Sequence, residues 1–119
     1  MLFRIDHASP VPLGDQIAAA VRGALADGSV RSGERLPAAR ALAESLGVNV
    51  HTVLRGYQRL KGEGLIELRR GRGAVVTGDA SPGRVRLTEH VGRLVAEARA
   101  QGLTDDEVVA LVWAGLSAG

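Results

Sequence analysis

The chain has 119 residues, 45% of them apolar and 24% charged, with a net charge of +2; this bounds it to one compact domain with a small appendage. It contains no cysteine, which excludes disulfides, thiolate metal sites and cysteine nucleophiles. No signal-like opening and no apolar run approaching ~20 residues is present, so neither secretion nor a membrane partner is expected and the cytoplasm is the expected compartment.

The charge is unevenly spread. Through Gly78, ten arginines and Lys61 face seven carboxylates, a balance of +4; from Asp79 onward four arginines face six carboxylates, a balance of −2. A basic first part fits a polyanionic partner. Aromatic residues are scarce (Phe3, Tyr57 and Trp113), so the core must be built mainly of Leu, Val and Ala.

Residues 2–5 form a short apolar run with Phe3, expected as a small strand or an ordered arm, and residues 6–14 are turn-rich, with Pro10 and Pro12. From about Leu13 to Ala26 the spacing of Ile17, Val21, Ala24 and Leu25 predicts a helix, stopped by Asp27-Gly28. The stretch SVRSGER then reads as a polar loop. A second helix is expected to begin near Leu36-Pro37, because proline suits a first helical turn. Its inner side would carry Ala41, Leu42, Ser45 and Leu46, with Arg40 and Glu44 outward and Gly47 as a left-handed cap.

Only Val48 and Asn49 separate that glycine from the next helical run, VNVHTVLRGYQRLKGE, residues 48–63. At about 100° per residue, Val50, Val53, Tyr57 and Leu60 share one side, while His51, Arg55, Arg59 and Gly62 share the other, with Asn49 suited to cap the start. Two helices joined by a short glycine-bearing turn form a helix-turn-helix. After Gly64 the period becomes extended: LIEL and AVVT flank Arg69-Arg70-Gly71-Arg72-Gly73, a β-hairpin with an arginine-rich tip. A hairpin wing directly after a helix-turn-helix makes a winged helix.

Residues 79–86, DASPGRVR, read as a linker because Ser-Pro-Gly is a turn cluster. Two tail helices are expected beyond it. The first, about residues 89–101, is capped by Thr88 and carries Val91, Leu94, Val95 and Ala98 on one face. The second opens on Thr104-Asp-Asp-Glu107, a capping box. Its body, VVALVWAGL, is apolar all round and must be covered on several sides. A partner subunit seated on Val91, Leu94, Val95, Val108, Leu111, Val112, Trp113 and Leu116 is the expected cover; folding back onto the first part is the alternative. The expected fold is therefore mainly α with a small β-hairpin: a winged helix-turn-helix over residues 1–78, a linker at 79–86 and a two-helix dimerisation tail at 87–119.

No catalytic arrangement stands out. His7, His51 and His90 lack metal-ligand spacing, GxxxxGK[ST] and GxGxxG are absent, and no serine sits in a GxSxG elbow between a strand and a helix, so neither an enzyme nor a cofactor or metal is expected. A cationic helix front of major-groove width is what base readout needs. The candidate DNA-binding set is Arg40, Asn49, His51, Thr52, Arg55, Arg59, Arg70, Gly71, Arg72 and Gly73. Arginines neutralise phosphates or read guanine, and the glycines permit close backbone approach. For Arg69 or Arg70 a solubilising strand-end charge is the alternative reading.

The segments Pro12-Leu13…Gln16-Ile17, Gly33-Glu-Arg-Leu36-Pro37-Ala-Ala-Arg40-Ala-Leu42-Ala43, Leu46-Gly47-Val48-Asn49…Thr52-Val53…Tyr57…Leu60…Glu63-Gly64-Leu65-Ile66 and Arg70-Gly71-Arg72-Gly73 closely resemble the GntR family of bacterial transcription regulators, over roughly residues 10–77. The short tail is similar to that of the YtrA-type subfamily. The resemblance implies a homodimeric winged-helix repressor of double-stranded DNA, dimerised through its tail, often acting on a transporter operon near its own gene. By position, Arg40 matches the arginine of the family's LPxxR motif, which contacts the DNA backbone. Asn49, His51 and Thr52 match the polar start of the recognition helix, and residues 71–73 match the wing tip that enters the minor groove. Val50, Leu54 and Ala39 depart from residues common in the family at those positions. The same winged helix precedes an aminotransferase-like domain in MocR proteins, so a fragment of such a fusion, or a protein-interaction winged helix, is the competing expectation. The tail leaves little room for an enclosed effector pocket; an unidentified small-molecule effector would sit between the tail helices or at the dimer seam.

Overall fold

The computed structural model describes residues 3–78 and 80–119. In chain order the elements are α1 (Leu13–Asp27), α2 (Ala39–Leu46), α3 (Val50–Gly62), β1 (Ile66–Arg69), β2 (Gly73–Val76), α4 (Pro82–Ala100) and α5 (Asp105–Ala118). They fall into two compact units, Met1–Arg86 and Leu87–Gly119.

The first unit is built on the packing of α1 and α2 against α3. Ile17, Val21 and Leu25 of α1, Leu42 of α2 and Val53, Tyr57 and Leu60 of α3 are buried together with Leu65, Ile66, Val76 and Val85. The α1–α3 crossing is close enough to require glycine. A Cβ on Gly56 would lie 2.8 Å from the Gly14 carbonyl oxygen and 3.2 Å from Ile17 Cγ2. Arg22 adds a second tie between these helices through a two-pronged pair with Glu63, at 2.7 and 2.9 Å, with both side chains mostly shielded from solvent.

Strands β1 and β2 pair antiparallel, from Ile66↔Val76 to Arg69↔Gly73. The stretch expected as a polar loop has a further role. The Gly33 and Leu36 amides donate to Val76 and Ala74, the Val76 amide donates to Glu34, and Arg35 bridges to Val75. Residues 33–36 thus cover the free edge of β2. A single bridge among charged residues has no period-two signature, so the sequence pattern did not reveal it.

Several expectations are corrected. Helix α2 begins at Ala39 instead of Leu36-Pro37: the Leu36 amide is committed to the hairpin, and a residue before proline is held extended. Its inner row is Ala39, Leu42, Ala43 and Leu46, a clean helical spacing, whereas Ala41 and Ser45 are exposed. The expected linker is helical from Pro82 onward. Ser81 caps α4, its Oγ accepting the Arg84 N–H at 3.1 Å and its carbonyl accepting the Val85 N–H at 3.0 Å. Serine at the cap with proline at the first helical position starts a helix as readily as it makes a turn. Thr88 is therefore interior to α4, and Ala80 and Val85 are core residues.

Residues 3–5 form no strand; Phe3 and Ile5 pack half-buried against the core, while residues 1 and 2 of the expected arm lie outside the described residues. Gln16 holds the arm's exit by accepting the Asp6 N–H at 2.7 Å and donating to the Asp6 and Val11 carbonyls, each at 2.9 Å.

In the second unit, α4 turns into α5 at Gly102, which takes φ 78°. Ala98 is buried, and Val95, Leu103 and Val108 are half-buried. Helix α5 opens on the expected capping box: Thr104 Oγ accepts the Glu107 N–H at 3.2 Å and Glu107 Oε1 accepts the Thr104 N–H at 2.9 Å.

Candidate nucleic-acid interface

Helix α3 starts where Asn49 stops the turn from α2. The Asn49 Oδ1 accepts the His51 N–H at 2.8 Å, so one acceptor position of this amide is spent on the cap, while its NH₂ and the second oxygen lone pair remain to contact a ligand. His51 is exposed and Thr52 half-buried. Thr52 and Arg55 border a shallow groove of about 310 Å³ whose other wall is Pro12, Leu13, Gly14 and Asp15 at the start of α1.

The arginines separate by environment. Arg40 near the start of α2, Arg55 on α3, and Arg70 and Arg72 at the hairpin tip are exposed. None of the four forms an ion pair among the described residues. Arg59 differs. It lies 3.1 Å from Asp15 on α1 and 3.6 Å from Glu63 one turn along α3, so its charge is partly answered within the fold. Sequence spacing placed Arg59 beside Arg55 on the outer face but carried no sign of Asp15, a partner 44 residues away. Arg69, left open between two roles, pairs with Glu67 at 2.7 Å on its own strand.

At the hairpin tip the Arg72 amide donates to the Arg69 carbonyl at 3.1 Å. Gly71, third in that turn, has φ 78°, which side-chain-bearing residues rarely adopt. The turn presents Arg70 and Arg72 on either side of that glycine.

Behind the candidate interface stands Tyr57, whose ring is fully buried and whose hydroxyl donates to the Pro37 carbonyl at 2.6 Å. Burial pushes its pKa up to about 12, so the phenol stays a neutral donor across the physiological range. The sequence marked Tyr57 as core but said nothing of this bond.

The eight tail residues singled out for dimerisation all lie on α4 and α5. Val91, Leu94, Leu111, Val112, Trp113 and Leu116 are exposed, Trp113 and Leu116 at 65% each, while Val95 and Val108 are half-buried. Leu87 and Val109 are also exposed, at 61% and 54%; Val109 belongs to the apolar body legible in the sequence, whereas Leu87 has no such signal.

Residues 13–76 match the family described as bacterial regulatory proteins, gntR family. The chain belongs to the GntR family. As a GntR regulator it binds DNA and controls transcription; its relatives are transcriptional regulators, not enzymes. It is 30% identical over 107 residues to the HTH-type transcriptional repressor YtrA of Bacillus subtilis, covering 86% of this chain and 82% of that protein. It is 33% identical over 107 residues to the HTH-type transcriptional regulator Rv1152 of Mycobacterium tuberculosis, covering 90% and 88%. Among solved structures, the GntR-family transcription factor YtrA from Sulfolobus acidocaldarius superposes with a TM-score of 0.61 at 32% identity, over 96% of each chain. The winged-helix fold of these regulators is thus the fold seen here. No helix among the described residues is long and apolar enough to cross a membrane.

Proposed function

We propose that this GntR regulator is a homodimeric repressor of an inverted-repeat operator, dimerised through α4 and α5. The observation that carries the reading is the pairing of two features. Four uncompensated, exposed arginines, Arg40, Arg55, Arg70 and Arg72, sit on three elements of the first unit. A helix with no buried residue and an apolar body, α5, ends the second. Cations of this kind neutralise phosphates or read guanine edges, and an apolar helix left in water calls for a partner. A twofold dimer requires half-sites about one helical turn apart. The Bacillus relative's name supports the repressor sense. The resemblance to YtrA-type regulators makes a transporter operon near its own gene the first target to examine.

The direct test is selection of bound duplexes from a randomised pool, followed by titration of the best duplex at several salt concentrations. The expected product is an inverted repeat bound by two chains. Arg40→Ala or Arg55→Ala should lower the salt slope by about one unit per monomer. Unchanged affinity and slope in both variants would reject the contact assignment, and a selected site without dyad symmetry would reject the paired mode of binding.

A further inference from the structure

Helix α2 has only eight residues, and no side chain caps its start: Ala38 occupies the cap position. A short helix without a cap has little of its own to hold its first turn in register. Yet Arg40, the second residue of that turn, is one of the exposed cations. The nearest fixed point is Pro37, one residue before the cap, whose carbonyl accepts the Tyr57 hydroxyl at 2.6 Å. On the other side, Leu36 donates to Ala74 of β2 at 2.9 Å. The lead-in to α2 is therefore stretched between the wing and the middle of the recognition helix.

We infer that the Tyr57 hydroxyl is a positioning group for DNA binding: by holding the Pro37 carbonyl it sets where the first turn of α2, and hence Arg40, meets the duplex. This rests on Arg40 being a backbone contact. Tyr57 itself is buried and touches no DNA. A phenylalanine would fill the same space in the core but release the carbonyl, so the core would persist while the start of α2 lost its anchor. A charge displaced by about an ångström from a contact it must match loses much of its value.

The test is a double-mutant cycle on the full chain with the tightest duplex from the randomised pool. Tyr57→Phe should melt cooperatively and weaken binding about three- to tenfold, the scale of one hydrogen bond. In an Arg40→Ala background it should cause no further loss, whereas in an Arg55→Ala background its loss should be undiminished. A purely structural hydroxyl would weaken binding equally in all three backgrounds, and that result would overturn the proposal. So would wild-type affinity in Tyr57→Phe alongside a weakened Arg40→Ala. Wild-type affinity in Arg40→Ala itself would instead remove the contact on which the inference stands, a failure visible from that single variant.

Discussion

Gly56 and Gly23 show how one residue type carries opposite meanings in the same bundle. Both lie inside helices, where glycine costs about 0.5–1 kcal/mol relative to alanine. At Gly23 nothing lies within 4 Å of an added Cβ, so Gly23→Ala should raise stability by roughly that amount. At Gly56 the added carbon would sit 2.8 Å from a backbone oxygen of α1. Backbone cannot swing aside as a side-chain end can, and overpacking of this kind costs about 1–3 kcal/mol. Gly56→Ala should therefore lower the urea midpoint while Gly23→Ala raises it; a shared sign would contradict the packing described. Tyr57 offers a second residue-scale check because it is the sole tyrosine. Its folded pKa of about 12 lies above the ordinary phenol value of ~10. Its contribution is therefore complete below about pH 10 and fades as pH climbs toward 12. Tyrosinate absorbance should rise near pH 12 in the folded chain and near 10 in urea, and Tyr57→Phe should flatten the alkaline loss of stability.

At the scale of elements, helix starts decide much of the architecture. Asn49, Ser81 and Thr104 each accept an N–H that the helix would otherwise leave unpaired. Hydrogen bonding to Thr104, through the backbone first and the side chain second, holds the Glu107 carboxyl below its usual range. A depressed carboxylate pKa stabilises above the ordinary glutamate value and loses that contribution as pH falls through the lowered one. Both acidification and Thr104→Ala should fray the first turn of α5, seen as loss of helical carbon shifts at residues 105–107; shifts unmoved by either would mean the box is idle. Within α3, the pairing of Arg59 with Asp15 and Glu63 makes its role differ from that of Arg55. Exposed pairs of this sort are worth little, so Asp15→Asn should barely alter the melting temperature. It should nevertheless tighten DNA binding modestly by removing a carboxylate from beside α3, the proposed recognition helix. Weaker binding by Asp15→Asn would show that the Asp15–Arg59 link serves the duplex-bound form.

Over the whole molecule, the division of labour follows charge and grease. The balance of +4 lies within the first 78 residues, and the exposed large apolar side chains are concentrated on α4 and α5. In the proposed dimer those side chains supply the association. Replacing both Trp113 and Leu116 by Glu should yield monomers by sedimentation, with affinity for a full inverted repeat falling to that for a half-site. The Trp113 emission of the wild type should move to shorter wavelength as concentration drives pairing. Persistent dimers in the double variant would place the seam elsewhere.

Composition, helical period and turn chemistry were enough to mark five helices, a hairpin with arginines at its tip and the order in which they follow one another. These signals are local: a helix face, a capping box or a glycine turn is written within a dozen residues. What needed the folded chain were the contacts between distant segments. Residues 33–36 lie along the hairpin, Asp15 answers Arg59, Gly14 meets Gly56 and the Tyr57 hydroxyl reaches Pro37. None of these has a periodicity, because each joins residues far apart in sequence that meet only when the chain folds. For the same reason tertiary structure, and not helical spacing, decided that Arg59 is engaged while the equally outward Arg40 and Arg55 form no ion pair among the described residues. Whether a charge is free depends on which opposite charge folding brings beside it.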